Sequence, residues 1–368
     1  MNSKVNVLYI GYLGFNNVGD EVCYEAFVQS ITRWSSSVEK VIAYDIKENT
    51  GIKEMLKEET IDAVILGGGS LFQGNIFLTL AEEAMELNLP LYSYGTGIDY
   101  LTEDTLTKFM DGDVFEPSTY FDNRQIPTAR IKRVVEYMTY CGIRGPLTFQ
   151  FLKGLTSDLS SIEIIGDSGF IYHPESDSYI LDHYLPQIQN PMVAVNWGTT
   201  FNKLFGYNEA SVKDQLIESC RYLLSKGYHI VVYPMWDQDI DSCRELSKQI
   251  ENNESVTFIP ETCTATQIYT FLTACHFSIN LKLHATILSA SAATPFIQLA
   301  YRSKGFDFAH SINQGENTLF THSTSIFKTV QEKEEEITNH YDSYTKKLNE
   351  EKDKYTRKHK WFSEKYFG

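Results

Sequence analysis

A cation, a hydrophobe and a histidine stand in a row at Lys282-Leu283-His284, closing the apolar run Ser278–Leu281 and opening the small-residue stretch Ala285–Ala292. A strand that ends this way and passes straight into a helix sets the cation and the imidazole at a helix N-terminus. There, unpaired backbone N–H groups and the helix dipole favour an anion. One unit later Phe296–Leu299 runs into Tyr301-Arg302-Ser303-Lys304, which adds Arg302 and Lys304 to the same edge. The set reads as a convergent anion site with a histidine whose ordinary pKa suits proton transfer near neutrality. Taken singly, His284 reads equally as a satisfied histidine at a helix start and Lys304 as a solvated surface lysine.

Three glycine turns lie at other predicted strand ends. The first is Gly11-x-x-Gly14-x-x-Asn17-x-Gly19-Asp20-Glu21, the second Gly67-Gly68-Gly69-Ser70, the third Gly95-Thr96-Gly97-Ile98-Asp99. Glycine-rich turns between a strand and a helix let backbone N–H groups approach a ligand. The spacing fits neither the GxGxxG dinucleotide fingerprint nor the P-loop. One such turn alone reads equally as chain geometry, and Asp20 and Glu21 as acidic residues of a first helical turn. Three at successive strand ends would line one edge of a crevice, because ligands of open parallel sheets bind beyond the carboxyl ends of the strands.

The elements that must position these residues alternate. Val5–Gly11, Val38–Tyr44, Ala63–Leu66 and Leu89–Tyr94 read as strands, with helices over Asp20–Trp34 and Ile76–Leu87. After a break near Pro174–Pro191 the alternation resumes: strands at Met192–Asn196, Tyr228–Pro234, Val256–Ile259, Phe277–Leu281 and Phe296–Leu299, with helices between them. The pattern predicts an α/β protein of two doubly wound parallel-sheet domains, 1–175 and 190–325. Thr329–Trp361, rich in Glu and Lys, predicts one long helix within a C-terminal segment 326–368 that crosses back to the first domain. Residues 111–130 carry turn signals and read as a long loop.

Composition bounds the function. With 368 residues, 42% hydrophobic and 22% charged, the chain is that of a globular protein of two domains. A net charge of −16 disfavours a nucleic-acid partner and leaves room for a small anion in a local cationic pocket. The 23 Tyr and 22 Phe offer faces for sugar rings, although most such area belongs to cores. The six cysteines are scattered without CxxC pairs or neighbouring histidines at ligand spacing, so neither a zinc site nor a disulfide framework is indicated and no metal is expected. No apolar run approaches the roughly 20 residues of a membrane span, and no signal-peptide pattern opens the chain. The expectation is cytoplasmic, with at most peripheral association at the inner face of a membrane.

The glycine turns, Arg144-Gly145-Pro146-Leu147-Thr148, Ile165-Gly166-Asp167 and the block Leu281–Phe308 occur in the order found in the polysaccharide pyruvyl transferase family, which the chain resembles from Val5 to about Phe308. The most specific pieces are the Gly11–Glu21 motif and the basic-Leu-His motif followed by Pro295 and Tyr301-x-x-Lys304. The resemblance implies two Rossmann-like lobes facing a cleft, similar to GT-B glycosyltransferases, with phosphoenolpyruvate as co-substrate and no cofactor or metal. It puts the basic-Leu-His motif on Lys282, Leu283 and His284, and the family's helix-leading arginine on Arg144. There are departures: the family usually has arginine where this chain has Lys282, and its acidic residue ahead of the motif's strand is replaced by His276. Lysine is a point charge without arginine's planar fork, so a fork would have to come from Arg144 or Arg302.

The roles expected are these. Arg144, Lys282, Lys304 and Arg302 hold carboxylate and phosphate, with Leu283, Gly14, Asn17, Gly68 and Gly69 also against substrate. His284 protonates C3 or the departing phosphate, and Asp20 or Asp99 takes the proton of a sugar hydroxyl. The acceptor, a sugar or lipid-linked oligosaccharide, lies near Gly11–Glu21 and Tyr120–Phe121. Two other readings use the same residues: a GT-B nucleotide-sugar glycosyltransferase, and a non-catalytic two-lobed sugar- or anion-binding homologue.

Overall fold

The computed structural model describes residues 4–110, 126–250 and 254–368. Two six-stranded sheets, parallel throughout, carry the molecule. The first is built from β1 (Val5–Ile10), β2 (Val38–Ala43), β3 (Ala63–Leu66), β4 (Leu91–Thr96), β5 (Tyr140–Ile143) and β6 (Ile162–Ile164), in the order β2-β1-β3-β4-β5-β6. The second comprises β7 (Met192–Asn196), β8 (His229–Tyr233), β9 (Val256–Phe258), β10 (Cys275–Asn280), β11 (Phe296–Ala300) and β12 (Thr318–Phe320), in the order β12-β11-β10-β7-β8-β9. These are two Rossmann-like domains, as the alternation predicts. The central strands β3, β4, β7 and β8 are buried at every residue, which explains why they read as apolar runs rather than alternating ones.

Each sheet reverses its winding once. In the first, the chain leaves β1 for β2 on one side and returns to β3 on the other; in the second, it leaves β7 for β8 and returns to β10. The crevice outside a reversal point is where open α/β sheets take ligands. The segments beyond β1, β3, β7 and β10 hold the Asn17 turn, Gly67–Ser70, Trp197–Thr200 and Lys282–His284. Across the seam Val18 N donates to Met235 O at 3.3 Å, Trp236 Nε1 to Phe15 O at 2.9 Å and Leu101 N to Ser303 Oγ at 3.1 Å. The two reversal points therefore face each other.

The C-terminal segment is two helices, Ile326–Asn339 and Tyr341–Phe367, rather than one. The break falls at His340 (φ −128°, ψ 27°), where the helices part to different partners. Ile326, Val330 and Ile337 of the first lie in the core of the second domain. Phe362 and Phe367 of the second pack among Tyr92, Tyr94 and Tyr140 of the first sheet, and Ser37 Oγ donates to Phe367 O at 2.8 Å. The Glu- and Lys-rich pattern is interrupted there, Ile337–Thr345 holding only Asp342 among Asp, Glu, Lys and Arg. Of the span read as a loop, 111–125 lies outside the described residues, Tyr120 and Phe121 included, and the helix Thr128–Tyr137 begins before its end.

Candidate functional site

A cavity of about 610 Å³ opens between the lobes, lined on the first-domain side by Asp20, Gly69, Ser70 and Asp99. An adjoining cavity of about 270 Å³ reaches into the second domain at Thr199, Asp239, Lys282 and Tyr301. Asn17, Tyr100, Trp236, His284, Arg302 and Lys304 line both, so the two form one cleft. The helices Leu283–Ser291 and Ser303–Ser311 begin at its wall, capped by Lys282 and Arg302 without a side-chain hydrogen bond. Two helix N-termini and a ring of cations make a strong anion environment, although at the second the Lys304 N–H is given to Asp99 Oδ1 at 3.4 Å.

The four expected cations have different employment. Arg144 is fully buried and carries the lobes' junction: Nε donates to Asp307 Oδ2 at 3.3 Å, Nη2 to Ile98 O at 2.6 Å and Nη1 to Gly69 O at 3.3 Å. Asp307 also accepts from Leu147 N at 2.9 Å and Thr148 Oγ1 at 2.6 Å, capping the helix Pro146–Leu155 from the other lobe. Arg302 Nη1 bridges to Asp99 Oδ2 at 3.2 Å and to Tyr100 Oη at 2.6 Å, while its guanidinium stacks on Tyr100 and Tyr301. The fork of Arg144 is occupied by protein, while Arg302 engages both Nη atoms and, among the described residues, leaves Nε without a hydrogen-bond partner. Lys282 Nζ pairs with the buried Asp239 at 3.0 Å and donates to Thr199 O at 2.9 Å. Lys304 Nζ, among the described residues, has no ion pair or hydrogen-bond acceptor and faces both cavities.

Two groups stand out as proton carriers. Burial, opposed by Lys304 and reinforced by Glu21 and Asp167, raises Asp20 to about 7. Its Oδ2 accepts from Asn17 Nδ2 at 2.6 Å, and Asn17 caps the helix Val18–Trp34 through Gly19 N. Burial, then Lys304 and Arg144, lowers His284 to about 3. At neutral pH the cleft therefore presents a neutral imidazole beside a carboxyl that still holds much of its proton. Gly19 is needed here, since a Cβ on it would stand 2.0 Å from His284 Nδ1. Asp99 goes the other way: burial is outweighed by Arg302 and Lys304, which lower it, and it is tied as the arginine's partner rather than left as a base.

Gly14 and Gly68 do not line the cleft. Gly14 is exposed, at φ +83°, and donates its N–H to Glu21 Oε1 at 2.8 Å; a Cβ on Gly68 would meet Cys23 Sγ at 2.5 Å. Both serve the geometry of their turns. Gly69 (φ +99°), Asn17 and Leu283 do line it. The cleft also holds residues to which sequence reasoning gave no role. Trp236 and Asp239 follow β8, whose carboxyl end is a place the strand-end rule could have flagged. Tyr301, quoted only as part of a motif, is buried among cations: burial raises its phenol, but Arg302, Lys304 and Lys282 outweigh that and lower it to about 8.

A family model described as polysaccharide pyruvyl transferase matches residues 17–303, a span that holds every residue of the cleft wall except Lys304 and Tyr12. The chain belongs to the polysaccharide pyruvyl transferase family. No curated protein matches it. Among solved structures, this pyruvyl transferase family member is similar to an S. aureus MnaA–UDP complex, with a TM-score of 0.63 and 11% identity over 94% of this chain and 90% of that one. A putative UDP-N-acetylglucosamine 2-epimerase from Listeria monocytogenes gives 0.61 and 12% over 94% and 91%. A UDP-glucosyltransferase from Polygonum tinctorium gives 0.50 and 10% over 96% and 99%. At such identities the likeness shows the fold: two Rossmann-like domains in the GT-B arrangement. Among the described residues of this family member, no helix is long and apolar enough to cross a membrane.

Proposed function

We propose that the chain transfers the enolpyruvyl carbons of phosphoenolpyruvate to two hydroxyls of one sugar, forming a pyruvate ketal on a cell-surface glycan or its lipid-linked precursor, at the inner face of the membrane. The donor's carboxylate and phosphate sit against Lys304 and the N-termini of Leu283–Ser291 and Ser303–Ser311. Arg144, Arg302 and Lys282 shape this wall and add positive field to it.

Ketal formation removes one proton from each hydroxyl, adds one to C3 of the donor and sends one out with phosphate. One acid and one base therefore complete the cycle between them. The observation that carries the reading is the pair Asp20 and His284 in one cavity, shifted in opposite directions. Asp20 gives its proton to C3, C2 becomes electron-poor, and the first hydroxyl adds while His284 takes its proton. Phosphate then leaves with the proton held by His284, the second hydroxyl adds to C2, and its proton restores Asp20. This exchanges the roles that the sequence suggests for the two residues, because a histidine kept neutral by burial and two cations begins as a base.

Release of inorganic phosphate from phosphoenolpyruvate, screened against simple and lipid-linked glycosides, tests this. Acceptor-dependent release, falling by a factor of about 10² to 10⁴ in His284→Ala, supports it; near-normal release in that variant removes the histidine from proton transfer. The fold shared with proteins described with UDP favours one other reading, a nucleotide-sugar glycosyltransferase. Thermal stabilisation by a nucleoside diphosphate but not by phosphoenolpyruvate would select it.

A further inference from the structure

Cys23, Asp167 and His284 come from three distant parts of the chain and meet behind the cleft wall. Cys23 Sγ lies 3.4 Å from Asp167 Oδ1 and 3.5 Å from His284 Nε2, and one donor atom from each of the three lies within 4.8 Å of the others. In a tetrahedral zinc site, bonds of about 2.3 Å to sulfur and 2.0–2.2 Å to nitrogen or oxygen put such ligand atoms about 3.5 Å apart. Two edges of the trio, from Cys23 to Asp167 and to His284, already have that length, and the third lies within 4.8 Å. A second observation points the same way: Asp167 is fully buried, and among the described residues its Oδ2 has no hydrogen-bond partner. Asp167 Oδ1 accepts from Gly169 N at 3.1 Å as well as from Cys23, so the carboxylate's free oxygen is Oδ2 alone. His284 lines the open cleft, while Cys23 and Asp167 lie buried behind it.

We propose that Cys23, Asp167 and His284 bind one thiophilic divalent cation of the zinc type, and that the bound ion takes His284 out of proton transfer and switches the cleft off. Sulfur, imidazole and carboxylate together form a donor set that zinc accepts and magnesium or calcium does not. Arg144 and Lys304 oppose a further positive charge near the imidazole, while Asp167 supplies negative charge around the thiol. The inhibitory half rests on the proton-transfer part proposed above for His284; the site itself does not. The absence of local CxxC or Cys–His spacing is no obstacle, since the ligands are 144 and 261 residues apart in sequence.

Cobalt(II) titration of the full chain under mild reducing conditions tests the site without using activity. A near-ultraviolet thiolate-to-cobalt band saturating at one equivalent and displaced by zinc is expected. It should vanish in Cys23→Ala and in Cys23→Ser, with folding checked by circular dichroism. Asp167→Asn should weaken binding by about tenfold or more, a scale on which even outer-shell partners act. The other cysteines are also buried, so a band that survives in both Cys23 variants, or no band at all, overturns the proposal. Loss of phosphate release in step with zinc occupancy, restored by a chelator, supports the switch. If the band forms and release continues unchanged, the site stands and the part given to His284 fails.

Discussion

Arg144 and Lys304 are both cations of one cleft, and the molecule uses them oppositely. Arg144 has no exposed surface and spends its guanidinium on Asp307, Ile98 and Gly69, joining the lobes. Lys304 sits at a helix start on the facing wall, and its ammonium has no protein acceptor among the described residues. An arginine with a fixed fork is suited to a permanent buried junction, and a lysine to a point charge that a ligand can engage. The positive field of the cleft is therefore shared between groups that hold it together and a group that meets what enters it.

That contrast can be broken by substitution. Arg144→Leu leaves Asp307 buried without its partner and should cost about 3–5 kcal/mol of stability, read by denaturant unfolding. Normal stability with lost donor affinity would instead make Arg144 a substrate ligand. Asp20→Asn should lower turnover by about 10² to 10⁴. In the parent protein, Asp20 is protonated below about 7, so turnover should fall as pH rises through that value. The residual rate of the variant should lack this fall; a fall that persists assigns it to another group, Tyr301 first. Lys304→Ala is the mildest, with stability changed by no more than about 0.5 kcal/mol. Its apparent donor affinity should drop by about 1.5–3 kcal/mol, the worth of a charged hydrogen bond, seen as a raised KM for phosphoenolpyruvate.

The fold was legible because strand ends write themselves locally. Apolar runs closed by Gly67-Gly68-Gly69 or Lys282-Leu283-His284 announce a parallel sheet and its ligand edge without knowledge of any partner. The cleft's residues were legible as candidates for the same reason. Their employment was not. Whether Arg144 is free depends on Asp307, which lies 163 positions away, and the charge state of Asp20 and His284 depends on burial between two lobes. Asp167 stood out only as part of the strand end Ile165-Gly166-Asp167, and Cys23 gave no local signal. The divided C-terminal helix was missed for a related reason, since its break at His340 serves packing against two domains rather than any helix-breaking residue.

The central claim is that a carboxyl in this cleft protonates C3 of phosphoenolpyruvate as a sugar ketal forms. Turnover with a competent glycoside in deuterium oxide, followed by mass and methyl-proton spectra of the product, tests it directly. The account predicts an acceptor that gains one pyruvate less one water, with a methyl group carrying a single deuterium. A product that gains a sugar from a nucleotide donor, or a pyruvyl group whose carbon three is still an alkene, would contradict it.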